Sequence, residues 1–286
     1  MERINRVFEK NQASYRQRIR EQSPLVHCLT NHISITDCAN IALALGARPI
    51  MAEHPAEAEE ITQNADALVC NLGNITDERM QSILISGKTA KDRQIPVILD
   101  LVGVGCSSLR RKFSQECSNR FHPTVLKGNI SEIKAFAGEE SHASGIDAGT
   151  ADQVTEETLG ETCRWLAGLS RRFGSIIFVT GAYDLITDGT DTYIVSNGCK
   201  DMGRITGTGC MLSVVAAAFA GVLGNVPKEA LVYALAYAAA MYGICGETAL
   251  DGFCVGSGRV RLFDCVDQIT DEEIKEKMKV EQYEFS

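Results

Sequence analysis

No stretch of this 286-residue sequence is rich enough in lysine and arginine to line a polynucleotide groove, and the net charge of −9 leaves no overall basic footprint. No nucleic-acid partner is therefore expected, and any phosphate bound must be small and locally held, together with a metal ion. No C-x-x-C pair and no cysteine–histidine grouping has zinc spacing, although there are 11 cysteines. Scattered and odd in number, these read as small buried hydrophobes. The N-terminus, MERINRVFEKNQASYRQRIREQ, lacks the apolar core of a signal peptide. Together with the scattered cysteines this points to a reducing, cytoplasmic setting. No membrane span is expected either. The most apolar region, 211–250, is broken by Gly221, Gly224, Asn225 and Pro227 into two Ala-rich pieces suited to close packing in a core. Linkers and internal repeats are also missing, which leaves a single domain, and 45% hydrophobic residues is enough to fill it.

What is present is a regular alternation. Ile4, Val7, Phe8, Tyr15 and Ile19 fall at roughly helical spacing, so the first twenty residues predict an amphipathic helix. Strand-like runs follow at LVHCLT (25–30), PIMA (49–52), ALVCNL (67–72), VILDLV (97–102), TVLKGN (124–129) and SIIFVTG (175–181). Helices are expected between them at 35–45, 56–64, 77–92, 108–119, 130–137 and 154–172, with a polar surface loop over 138–152. LITDGTDTYIVSN (185–197) carries Asp188-Gly189 between two β-rich runs, a hairpin signal. Two long helices over 209–249 and a short helical tail complete the chain. Almost wholly apolar strands alternating with helices predict an α/β fold, a mainly parallel central sheet covered on both faces.

Two phosphate-loop signatures fail on inspection. Gly-Lys-Thr in ISGKTAKD has Ser82 where a Walker A loop needs glycine and does not follow a strand. VGVGCSS follows a strand, but Ser108 stands in the third glycine position of G-x-G-x-x-G. GRITGTGCML (203–212) is more informative. Gly207, Thr208, Gly209 and Cys210 form a flexible turn into a helix whose first N–H groups and positive dipole end make an anion hole. The alternative is a helix start that needs glycine for packing alone. Cys210 reads either as core or as a thiol whose first-turn position lowers its pKa. Asp100 ends VILD and Glu132 lies one turn into the helix after KGN, both at the strand ends where α/β sheets bind ligands. Such carboxylates suit Mg²⁺. Glu132 is equally placed to close a capping box on Asn129. Thr180-Gly181 marks another strand end or a simple turn, and Asn31 faces a ligand or caps a helix. The five histidines, 27, 32, 54, 122 and 142, have no ligand spacing and read as structural or surface residues.

Taken together, PLVHCLTNHISITDCANIALALGARPIMA, NLGNIT, VILDLVGVG, VLKGNISEI, VTGAYDLITDG and GRITGTGCMLS occur in the order and spacing of the hydroxyethylthiazole kinases, which the chain resembles over roughly residues 14–265. The resemblance implies a ribokinase-like three-layer sandwich, assembled as a homotrimer. It also implies ATP-dependent phosphorylation, with Mg²⁺, of the primary alcohol of 4-methyl-5-(2-hydroxyethyl)thiazole in thiamine biosynthesis or salvage. By that resemblance Met51 and Gly207 contact the thiazole with Asn31 as a neighbour, Lys127 and Thr180 contact ATP, and Asp100 and Glu132 are the metal-proximal acids. Gly207, Thr208, Gly209 and Cys210 then form the anion hole and carry the catalytic residue.

The sequence departs from the family pattern at three places. Leu101 follows Asp100 where proline is usual, Lys127 replaces the commoner arginine, and Ala182 stands where glutamate often follows Thr-Gly. The arginine-to-lysine change turns a planar bidentate contact into a point charge. A hydroxymethylpyrimidine kinase or an ADP-dependent repair dehydratase of the same superfamily is the nearest alternative, and Cys210 with the HCLTN segment argues against both. A non-catalytic nucleotide sensor and an enzyme using Cys210 as covalent nucleophile are the remaining readings. For the last, no histidine is placed by the sequence to activate the thiol.

Overall fold

One nine-stranded sheet organises the computed structural model, which describes residues 15–139 and 152–285. Its strands in chain order are β1 (Leu25–Leu29), β2 (Arg48–Ile50), β3 (Ala67–Asn71), β4 (Val97–Asp100), β5 (Val125–Asn129), β6 (Ile176–Thr180), β7 (Asp184–Thr187), β8 (Thr192–Val195) and β9 (Val280–Gln282). Across the sheet the order is β2-β1-β3-β4-β5-β6-β7-β8-β9. Pairing is parallel from β2 to β6 and antiparallel from β6 to β9. The mainly parallel α/β sheet expected from the alternation is therefore present.

The helices are α1 (Tyr15–Gln22), α2 (Ile35–Leu45), α3 (Pro55–Gln63), α4 (Asp77–Arg93), α5 (Ser108–Phe121), α6 (Ile130–Ala137), α7 (Glu156–Phe173), α8 (Thr208–Leu223), α9 (Lys228–Leu250), α10 (Val255–Gln268) and α11 (Asp271–Lys277). Strand residues alternate between two cores. Ala67, Val69 and Ile98 pack into the one built by α1, α2, α8, α9 and α10, while Leu68, Cys70, Val97 and Leu99 pack into the one built by α4 to α7. This is why the central strands are almost wholly apolar: period two points successive side chains to opposite faces, and both faces are covered. Each Leu, Val or Ile so buried stabilises the fold by about 1.5–3 kcal/mol.

α8 and α9 carry long unbroken buried runs, 210–220 and 231–246. α9 is long and apolar enough to cross a membrane, yet 89% of its most apolar window is buried inside the fold. Close packing also explains the Gly-Lys-Thr of α4, since a Cβ at Gly87 would come within 2.3 Å of the Phe121 ring. At Gly189 in the β7–β8 hairpin φ is +95°, the left-handed conformation that the Asp-Gly signal anticipates.

Some expectations need correction. Of the N-terminal amphipathic helix only Tyr15–Gln22 is seen, and residues 1–14 lie outside the described residues, as do His142 and most of the expected 138–152 loop. The C-terminal tail is not a short helical extension. It contains α10 and α11 and then returns as β9 to pair with β8, Tyr193 opposite Gln282.

Candidate active site

The carboxyl ends of the parallel strands carry the polar residues. Register sets them side by side: Asn71 opposite Asp100, Asp100 opposite Lys127, and Asn129 opposite Thr180. A cavity of about 950 Å³ opens there. Asp100, Lys127, Glu132, Thr180 and the four residues Gly207–Cys210 line it, so eight of the ten sequence-predicted site residues meet in one place. Met51 and Asn31 do not line it. Met51 follows β2, half-buried against the core, and Asn31 reaches the site through Cys210.

α8 delivers the turn. Its N-cap is Gly207, whose φ of +89° and lack of any capping side chain leave the first N–H groups without protein acceptors, as the anion-hole reading requires. A Cβ at Gly207 would meet Ser34 Cβ at 2.8 Å, so glycine is needed there for close approach as well as for φ. The Thr208 hydroxyl is turned away, within hydrogen-bond reach of the carbonyls of Met202 (3.2 Å) and Ile205 (3.3 Å). Tyr242 donates its hydroxyl to the Thr208 carbonyl at 3.1 Å, tying the turn to α9.

Asp100 is 2% exposed. Its Oδ2 accepts from Ser213 Oγ at 2.6 Å and Asn71 Nδ2 at 3.0 Å, and lies 3.7 Å from Lys127 Nζ. Glu132 forms the capping box that its spacing offers and also lines the cavity. Its Oε2 accepts from Asn129 N at 2.8 Å, while Oε1 accepts from Gly103 N at 2.7 Å. Burial, then the charge of Asp100, raises the Glu132 carboxyl to about 7 against the pull of those N–H groups.

Cys210 corrects one expectation. Its position in the first turn predicts a lowered thiol pKa, yet the pKa is raised, by burial first and the negative Asp100 second. Hydrogen bonds from Ser34 and Asn71 and the charge of Lys127 oppose this without reversing it. Burial in apolar surroundings raises a thiol's pKa, and Cys210 is 9% exposed.

Sequence reasoning passed over several residues. Asn71 and Ser213 bracket Asp100, and Asp184, at the start of β7, lines the cavity with its carboxyl raised to about 7 by burial. Asn71 closes the strand within the NLGNIT motif, where asparagine reads as turn chemistry. Leu101 donates its backbone N–H to the Lys127 carbonyl at 2.8 Å, a ladder bond that the family's usual proline could not make. Ala182 is exposed at the cavity rim. Among the described residues no group of three or more His, Cys, Asp or Glu side chains is arranged to hold a metal by itself.

Residues 16–272 match the model of the hydroxyethylthiazole kinase family. The chain belongs to that family. It is 47% identical over 268 residues to hydroxyethylthiazole kinase 2 of Clostridium botulinum (strain Hall), an alignment covering 94% of this chain and 99% of that protein. Hydroxyethylthiazole kinase of Clostridium acetobutylicum is 39% identical over 271 residues, covering 93% and 98% of the two chains. The structure of the hydroxyethylthiazole kinase protein from Pyrococcus horikoshii OT3 superposes with a TM-score of 0.82 at 33% identity, covering 99% of this chain and all of that one. A ribokinase-like superfamily protein from Enterococcus faecalis, with a TM-score of 0.57 at 14% identity and covering 91% and 90%, shares the fold. As a member of the hydroxyethylthiazole kinase family the chain is an enzyme, a kinase on a ribokinase-like α/β fold.

Proposed function

We propose that the cavity at the N-terminus of α8 transfers the γ-phosphoryl group of ATP, in line, to the primary alcohol of 4-methyl-5-(2-hydroxyethyl)thiazole. The observation that carries this reading is the convergence on one cavity of an uncapped helix N-terminus, a buried lysine and two carboxylates in a chain of this family. First-turn N–H groups of Thr208, Gly209 and Cys210 would hold the transferring group. Lys127 and Thr180 would face the nucleotide phosphates. Asn31 and Met51 would border the thiazole beyond Cys210. Phosphoryl transfer asks mainly for positioning and charge stabilisation, so a largely protonated thiol is compatible with it.

The donor set suits Mg²⁺. Asp100 and Glu132 are close enough for one to raise the other's pKa and share a single lysine, and a divalent ion bound through one or two carboxylates, waters and phosphate oxygens matches that arrangement. Asp100 and Glu132 would hold the ion or its waters, and the chemistry it supplies is neutralisation of charge on the phosphates. The homotrimer implied by the family resemblance is part of this reading. A reducing cytoplasm is supported by the absence of any disulfide among the described cysteines.

ATP consumption with the thiazole alcohol, against a hydroxymethylpyrimidine control, tests the reaction. Turnover with the thiazole alone is expected. Turnover only with the pyrimidine would favour the other superfamily kinase, and nucleotide binding without turnover would favour a sensor.

A further inference from the structure

Asn71 is fully buried at the end of β3, and its amide orientation is set from two sides. Oδ1 accepts from Gly73 N at 2.9 Å and from Asn31 Nδ2 at 3.2 Å, which forces Nδ2 toward the site. Its two hydrogens are then divided, one toward Asp100 Oδ2 at 3.0 Å and one toward Cys210 Sγ at 3.2 Å. Asn31 is fixed in the same way. Its Oδ1 accepts from the backbone N–H groups of Ile33 and Ser34, both at 3.1 Å, and its Nδ2 also reaches Cys210 Sγ at 3.2 Å. The sulfur therefore sits between two amide donors whose orientations are dictated by backbone rather than by the sulfur itself. The Ser34 hydroxyl is a further hydrogen-bond partner of the sulfur, and Cys210 lines the cavity.

We propose that Asn71 is a positioning residue for phosphoryl transfer, holding Cys210 as a hydrogen-bond acceptor and coupling it to Asp100 through one amide group. The proposal rests on the reading of this cavity as a phosphoryl-transfer site with the Cys210 side chain as its catalytic residue. Asn71 is fully buried and does not line the cavity, so its contribution is made in the chemical step and not in binding. Loss of the amide takes a donor from both Asp100 Oδ2 and the sulfur in a buried space.

A double-mutant cycle reads the coupling directly. Asn71→Ala should lower kcat at least about tenfold while the KM values for ATP and the thiazole alcohol change less than about threefold. In a Cys210→Ala background the same substitution should cost clearly less, because the sulfur it positions is gone and only the bond to Asp100 is lost. If Asn71→Ala does not fold, Asn71→Ser, which keeps one donor, is run through the same cycle, with an intermediate loss expected. Equal losses in both backgrounds, or a rise in KM without a fall in kcat, would overturn the proposal and leave the role of Cys210 standing. An unchanged kcat in Cys210→Ala would instead remove the role of Cys210, and the proposal with it.

Discussion

Lys127 and Asp100 are register partners on β5 and β4, yet the ammonium lies 2.9 Å from the carbonyl oxygen of Gly209 and 3.7 Å from the carboxylate. The lysine thus ties the central strand to the first turn of α8 before any ligand is considered. At 1% exposure its charge is compensated by Asp100 and by a helical carbonyl. Lys127→Met should therefore do two things. Breaking a buried pair by removing one partner costs about 3 kcal/mol of stability, read as a lowered Tm. Nucleotide affinity should fall more than thiazole affinity, measured by separate titrations. Lys127→Arg keeps the charge and should bind both ligands. Equal loss of both ligands in Lys127→Met, in protein that is still folded at the assay temperature, would remove the phosphate role.

Glu132 caps two backbone N–H groups, so Glu132→Gln, which can accept only one of them without turning its own N–H against the other, should cost about 1–2 kcal/mol even without nucleotide. The pH dependence follows from its raised carboxyl. Between the unfolded value of 4.5 and the folded value of about 7 the folded protein keeps a proton that the unfolded chain releases. The stability linked to that proton is present below pH 4.5 and is lost as pH rises through 7. In chelating buffer the gap between wild type and Glu132→Gln should narrow over that window, measured by denaturant unfolding. A gap that widens with pH would mean that Glu132 is ionised throughout.

Most of the sheet was legible because its strands are buried on both faces: VILD and ALVCN have no polar residue to blur the pattern before their last position. β9 was not, since Val280, Glu281 and Gln282 form an edge strand of three half-exposed or exposed residues with no alternation to read. Asp100 and Glu132 were legible as acids at strand ends. Asn71 was not, because what distinguishes it is an amide held by Gly73 and Asn31, and strand register across 40 residues of separation leaves no local signal. The thiol pKa was misread for a related reason. The helix end that favours a thiolate is visible in GTGC, whereas the burial and the Asp100 charge that outweigh it come from other elements.

Gly207 and Gly209 separate packing from chemistry in the turn. Gly207→Ala combines φ of +89° with a 2.8 Å approach to Ser34 Cβ, and the left-handed conformation alone costs about 1–2 kcal/mol for an L-residue. Turnover should fall at least about tenfold as the first N–H groups shift. A Cβ at Gly209 would come no closer than 4.0 Å to Lys127 Nζ, so Gly209→Ala should leave Tm unchanged. Full activity in both variants would mean that the turn does not hold the transferring group.

Cys210 carries the sharpest test of the reaction. Burial and Asp100 keep its thiol protonated, so iodoacetamide should modify it slowly at neutral pH compared with the exposed Cys106 and Cys254. Its two amide neighbours, at 3.2 Å each, are donors and would serve a carboxylate at least as well as a sulfur. Cys210→Ala should slow turnover while ATP still binds, because the helix N-terminus and Lys127 remain. Cys210→Asp places an acceptor and base between the same two donors and should retain activity, with an excess over wild type if proton removal limits the rate. A covalent role for the thiol requires the opposite result. The aspartate variant would then be inactive, and mass spectrometry of the wild type under turnover would find a phosphoryl group on Cys210. Those two observations together would overturn direct in-line transfer to the alcohol.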